Sequence, residues 1–192
     1  MINIAIFASG TGTNFSALLD KIQSSELNIN VVCLVCDHPD ALVVQRAKDA
    51  NIPVWAHEMK EFENKHDYET AIAQYLTSLK VDLLVLAGYM KIVSDVLLTA
   101  YPGKIINIHP AMLPKFPGRH GIEDAFAAGV SSTGVTVHYV DSGVDSGPII
   151  AQQAVEILPS DDIDTLATRI HDVEHVLYFD SLCKVIERDF NR

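Results

Sequence analysis

The chain has 192 residues, 48% of them hydrophobic, and a formal charge of −11 from 25 acidic side chains against 14 Lys and Arg. That length and composition suit one large globular domain with a real core. The acidic balance disfavours generic nucleic-acid binding, which neutralises phosphates with a basic surface. No apolar run approaches the roughly 20 residues of a membrane span, and MINIAIFASG reads as a first strand rather than a signal peptide. Three cysteines make no disulfide framework, so a cytoplasmic protein is expected.

Short apolar runs alternate with amphipathic stretches along the first half of the chain. Strands are predicted over 2–8, 29–36, 53–56, 81–87 and 104–108, with helices over 14–23, 41–50, 63–78 and 94–99 between them. The run VDLLVLA is apolar nearly throughout, as expected of a parallel strand buried on both faces. This rhythm predicts an α/β fold, a doubly wound, mostly parallel sheet with right-handed crossovers. After Gly121 the pattern changes. A short helix (121–128) precedes an alternating strand from Val135 to Val140, a turn rich in Gly and Asp, and a second strand over 149–156, an antiparallel C-terminal hairpin. A closing helix from about 161 to 187 carries Ile163, Leu166, Ile170, Val173, Val176 and Leu177 on one stripe, with Pro159 and Ser160 just before its start.

SGTGTNF, residues 9–15, lies between the first strand and the first helix. Small residues let backbone N–H groups approach an anion, and the helix dipole favours negative charge there. A dinucleotide fingerprint, with Asp37 at the end of the second strand as its ribose acid, fails, because Phe15 stands where GxGxxG needs its third glycine. A monophosphate pocket fits better; a tight strand-to-helix turn without a ligand is the alternative.

INIHPAMLPKFPG, residues 106–118, ends a predicted strand with Asn107 and His109 on one face, just before a loop with three prolines. Open α/β sheets place ligands at the carboxyl ends of their strands. Asn donates to an oxyanion, a protonated His does so with charge, and a nearby carboxylate favours the protonated imidazole. DSGVDSG supplies Asp141 and Asp145. The residues themselves therefore predict a polar site at the sheet's carboxyl edge and chemistry with a developing oxyanion.

SGTGTN, LAGYMKI, NIHPAMLPKFPG and GVTVHYVDSGVDSGPII, in this order and spacing, resemble the glycinamide ribonucleotide formyltransferases, a family of folate-dependent formyltransferases of purine synthesis. The likeness runs from Asn3 to about Tyr178. The Asn-x-His-Pro and Asp-x-Gly-Pro pair belongs to the wider folate-dependent group, while SGTGTN is narrower and specifies a small phosphorylated acceptor. The resemblance implies catalytic roles for Asn107, His109 and Asp145. It implies acceptor binding by Gly10, Thr11, Gly12, Thr13, Asn14 and Glu174, and folate binding by Met90, Lys91, Ile92, Val93 and Lys65. His120 and His138 match supporting histidines.

A single domain over 1–192 is expected, with a nucleotide- and phosphate-binding half over 1–100 and a catalytic half over 101–192. The implied reaction carries the formyl group of 10-formyltetrahydrofolate, a cosubstrate, to the amine of glycinamide ribonucleotide. No metal, nucleic acid or membrane takes part, and the protein acts as a monomer or homodimer. The alternative is a formyltetrahydrofolate deformylase or a formyltransferase acting on another amine. An oxidoreductase on the same fold and a catalytically silent binding module are further alternatives. One departure is Phe179, where the family has proline after the tyrosine of an EHxxYP-like ending.

Two other patterns are not read as metal sites, and His171 and His175 suit a surface or substrate-facing role. Cys33 and Cys36 spell CxxC without the second pair that a zinc site needs, and read as core residues. His171 and His175, one helical turn apart, lack the HExxH order of a metal site.

Overall fold

The structure is a computed structural model and describes residues 1–190. The strands follow the order Val54–Ala56, Ile29–Cys36, Ile2–Phe7, Leu83–Leu86, Ile105–His109, Ser132–Tyr139, Ile149–Glu156, and the chain divides into two compact units, residues 1–106 and residues 107 onward.

The first unit holds β1 (Ile2–Phe7), α1 (Thr13–Ser24), β2 (Ile29–Cys36), α2 (Leu42–Asp49), β3 (Val54–Ala56), α3 (Lys65–Ser78), β4 (Leu83–Leu86), α4 (Asp95–Ala100) and the first residues of β5 (Ile105–His109). β1 pairs in parallel with β2 and β4, and β2 in parallel with β3. Ile4, Ala5, Ile6 and Phe7 are wholly buried, as are Cys33 to Cys36. Helices therefore cover both faces, the arrangement that such continuous apolar runs require. Cys33 and Cys36 are core thiols, and burial pushes Cys33 up to about 12.

Two elements of this unit depart from the expected bounds by more than one residue. The helix expected over 63–78 is shorter, and a 3₁₀ turn over Met59–Glu61 precedes it. Glu58 and Glu61 cap that turn reciprocally, and Asn64 then accepts from the Asp67 N–H to start α3. β4 is cut to four residues because Val81 closes the end of α3 by donating to the Leu76 carbonyl.

The second unit holds the end of β5, α5 (Gly121–Ala127), β6 (Ser132–Tyr139), β7 (Ile149–Glu156) and α6 (Ile163–Asp189). β6 and β7 pair antiparallel, with a register shift between Val137 and His138. β6 starts earlier than its alternating residues suggested, because Ser132 already pairs with Glu156. α6 opens on a capping box between Asp162 and Thr165 and buries Leu166, Ile170, Tyr178 and Leu182. No helix among the described residues is long and apolar enough to cross a membrane.

Candidate active site

Asn107 and His109 stand two apart at the carboxyl end of β5, and the imidazole is buried. Asp145, in the β6–β7 turn, takes a positive φ of 51° that brings its carboxylate to them. Its Oδ2 lies 3.5 Å from His109 Nδ1 and its Oδ1 3.6 Å from His138 Nε2. His138 Nε2 is also 3.3 Å from Asn107 Nδ2. The structure thus brings together Asn107, His109, His138 and Asp145, all within the second unit.

The loop after His109 turns back on this group. Thr136 Oγ donates to the Ala111 carbonyl at 2.7 Å and accepts from the Leu113 N–H at 3.1 Å, while Gln152 Nε2 donates to the Leu113 carbonyl at 2.9 Å. Held there, the chain delivers the Phe116 carbonyl to His109 Nε2 at 2.7 Å and the Gly118 N–H to Asp145 Oδ2 at 2.8 Å. A carbonyl only accepts, so His109 carries a proton on Nε2 and donates that hydrogen bond to Phe116. These two backbone groups have no sequence signature, and the motif did not reveal them.

Burial pushes the Asp145 carboxyl up. The His138 hydrogen bond, the Gly118 N–H and the charges of His109 and His138 outweigh it and hold the group below its ordinary value. His138 Nδ1 donates to the Tyr139 carbonyl at 2.8 Å, leaving Nε2 to face Asn107 and Asp145. A neutral His138 accepts from the Asn107 amide, and a protonated one donates to Asp145. His120 is different: it is exposed at the start of α5.

On α6, the buried Glu174 carboxylate accepts from His171 Nδ1 at 2.7 Å. That bond, stronger in effect than the opposing burial, raises the pKa of His171. His175 Nε2 is buried and has no hydrogen-bond partner among the described residues. Among the described residues no group of three His, Cys, Asp or Glu side chains is placed to hold a metal ion.

In the first unit, Gly10, Thr11 and Gly12 lie between β1 and α1, and Thr13 and Asn14 open the helix. Gly12 is the N-cap of α1, with φ +76°, and a Cβ there would sit 2.4 Å from Val43 Cγ2. A glycine N-cap has no side chain to accept from the first-turn N–H groups, and no acid lies in that turn. The helix start therefore suits an anion. Packing against Val43 by itself explains Gly12, whereas Gly10 faces open space and has no such reason. An open cleft of about 460 Å³ borders Ser9, Gly10 and Thr11 on one side and His38, Asp40 and Glu58 on the other. Its two carboxylates suit hydroxyl or amine groups better than a phosphate.

Met90 to Val93 follow β4 without regular structure, and Met90 and Ile92 are 48% and 58% exposed. The Met90 N–H donates to Ser9 Oγ at 2.8 Å, which ties this segment to the glycine loop. Lys65 begins α3, its ammonium 3.9 Å from Glu69.

A half-buried Asn and a buried His at a strand end, met by a half-buried Asp from a turn, in an α/β chain with a glycine loop after its first strand, fit an enzyme of the acyl-transfer class. The formyl transferase family model matches residues 2–182. Phosphoribosylglycinamide formyltransferase of Bacillus subtilis is 49% identical over 93% of this chain and 91% of its own. The trifunctional purine biosynthetic protein adenosine-3 of Drosophila melanogaster is 42% identical over 90% of this chain, which spans 13% of that longer protein. The crystal structure of phosphoribosylglycinamide formyltransferase from Bacillus halodurans superposes with a TM-score of 0.95 at 48% identity, over 98% of this chain and 97% of that one. The chain belongs to the formyl transferase family.

Proposed function

We propose that this protein transfers the formyl group of 10-formyltetrahydrofolate to the amine of glycinamide ribonucleotide in purine biosynthesis. The observation that carries the reading is the 49% identity to the Bacillus subtilis phosphoribosylglycinamide formyltransferase over nine-tenths of both chains. The exposed Met90 and Ile92, on an irregular segment at the end of a buried strand, fit a flat folate ring. When bound, 10-formyltetrahydrofolate supplies an electrophilic formyl carbon for the acceptor amine.

The chain's own residues have three tasks. Asn107 keeps one amide hydrogen for the formyl oxygen while the other faces His138 Nε2. His109 supplies its Nε2–H to the same oxygen once the Phe116 carbonyl yields it. Asp145 braces the imidazole from the Nδ1 side and, through water, takes part in removing the amine proton. Donors aimed at developing negative charge are worth about 3–4 kcal/mol each. Gly10 to Asn14 hold the acceptor phosphate and Glu174 contacts the acceptor nucleotide. Lys65, Met90, Lys91, Ile92 and Val93 line the folate, with His120 and His138 in support.

The first unit thereby serves phosphate and folate binding, and the second the chemistry together with the Glu174 contact to the acceptor. The partners are these small molecules and not nucleic acid, in keeping with the charge of −11. The protein works as a monomer or homodimer in the cytoplasm, and its free cysteines are compatible with a reducing compartment. The test mixes protein, glycinamide ribonucleotide and 10-formyltetrahydrofolate and follows tetrahydrofolate and the formylated nucleotide, beside an acceptor-free control. Nucleotide-dependent transfer is expected. Folate release without acceptor would mean a deformylase, and no turnover by folded protein would overturn the assignment.

A further inference from the structure

The segment from Gly88 to Ser94 has no ladder or helix to hold it, yet it is pinned along its length. Its first anchor is the Gly88 carbonyl, which accepts from the Ser9 N–H at 3.0 Å. Tyr89 turns inward, its ring edge-on to Phe7 at 5.2 Å and its hydroxyl 3.5 Å from that of Tyr68. Val93 is buried as well. With these two residues inward, Met90 and Ile92 are left outward, one on each side of Lys91 in sequence.

Two buried carboxylates from other elements fix what remains. Asp37, at the end of β2, has a fully buried side chain, and its Oδ2 lies 3.5 Å from Lys91 Nζ. Neither of its oxygens accepts a hydrogen bond among the described residues. A buried carboxylate without hydrogen bonds is expensive, so cations must compensate it. Lys91 does so, with the exposed His38 ring 3.4 Å from the same oxygen. Glu69, on α3, is 3% exposed and takes the Ser94 N–H on both oxygens, at 3.0 and 3.1 Å, as well as the Ser94 hydroxyl. Lys65 is its counter-ion.

We propose that Asp37 and Glu69 are positioning residues for the folate: they hold the Met90–Ile92 ledge in its binding shape before the ligand arrives. This rests on the reading that Met90 to Val93 line the folate. An irregular segment that orders only on binding loses affinity to the entropy of ordering, and one already pinned does not. The two carboxylates touch the segment at Lys91 and Ser94, on either side of the exposed Ile92.

The test compares Asp37→Asn, Glu69→Ala and Glu69→Gln with Met90→Ala and Ile92→Ala, measuring KM for 10-formyltetrahydrofolate, KM for glycinamide ribonucleotide, kcat and Tm. Asp37→Asn and Glu69→Ala are expected to raise the folate KM about tenfold, with the nucleotide KM and kcat at saturating folate within about twofold. Glu69→Gln, which keeps an oxygen for the Ser94 N–H, is expected to recover most of the loss. If Glu69→Ala fails to fold, Ser94→Ala, which removes the hydroxyl donor alone, gives the same comparison. An unchanged folate KM in Asp37→Asn and Glu69→Ala, beside a raised one in Met90→Ala and Ile92→Ala, would overturn the positioning role and leave the folate site standing. So would a loss shared equally by both substrates, the mark of a merely structural role. An unchanged folate KM in Met90→Ala and Ile92→Ala would remove the folate ledge itself, and the proposal with it.

Discussion

Asp145 Oδ2 stands 3.5 Å from His109 Nδ1 while accepting the Gly118 N–H, so one carboxylate oxygen braces both the buried imidazole and the loop that folds over it. Asp145→Asn keeps the shape and removes the charge. Turnover is expected to fall by roughly a hundredfold or more, with both KM values nearly unchanged. Steady-state kinetics measure this, and unchanged turnover would exclude Asp145 from the chemistry. The carboxyl is held below its ordinary value of 3.8, so its contribution to stability is present above that value. It is lost only as the pH falls through the lower folded value. A decline in activity above pH 5 therefore has another source.

Thr136 is wholly buried and binds Ala111, Leu113 and Gln152 through one hydroxyl. Thr136→Val preserves the volume but leaves the Leu113 N–H and the Ala111 carbonyl without that partner. Such orphaned groups cost about 1–3 kcal/mol each. Thermal unfolding is expected to show that loss. Turnover should fall as well, because the freed loop no longer brings Phe116 and Gly118 to His109 and Asp145.

Much of the fold was legible in residue patterns. β2 and β7 fall where apolar runs bounded by turn residues placed them, and α6 is displaced by two residues from its expected bounds. Where expectation failed, side chains had redirected the backbone: the Glu58–Glu61 box made a 3₁₀ turn within a charged stretch that suggested only loop and helix. At the candidate site, the Asn107 and His109 spacing and the DSGVDSG turn pointed to residues that do converge. The Phe116 carbonyl, the Gly118 N–H and the Ser9–Met90 bond were not legible, because backbone groups are placed by loop paths rather than residue type. Asp37 was legible only as a failed ribose acid. Its pairing with Lys91 depends on how the ends of β2 and β4 are arranged.

The His171–Glu174 pair makes stability depend on pH in a definite direction. The hydrogen bond to Glu174 raises the pKa of His171 above 6.5. The stabilisation is therefore fully present below pH 6.5 and is lost as the pH rises through the higher folded value. Comparing Tm of the wild type and His171→Gln at pH 5.5 and pH 9 should show a gap at the lower pH that closes at the higher one. Because the His171 side chain is 49% exposed, the gap is expected to be small and to shrink further in high salt. A gap that widens with pH would contradict the pairing.

Gly10 and Gly12 separate a ligand-binding loop from a merely tight turn. Gly12→Ala places a Cβ 2.4 Å from Val43 Cγ2 on a backbone with φ +76°. The left-handed conformation and the crowded core together are expected to cost about 2–4 kcal/mol, read as a lower Tm whether or not a phosphate binds. Gly10→Ala meets nothing within 4 Å and has no positive φ, so Tm should stay unchanged. Its added methyl stands on the exposed side of the loop, where an acceptor phosphate must approach the backbone to reach the start of α1. Gly10→Ala is therefore expected to weaken glycinamide ribonucleotide binding about tenfold, with little change in folate affinity, by calorimetric titration of each ligand. Unchanged nucleotide affinity in this stable variant would mean that the phosphate does not approach Gly10, and would leave Gly12, packed against Val43, as the glycine of SGTGTN that the fold itself requires.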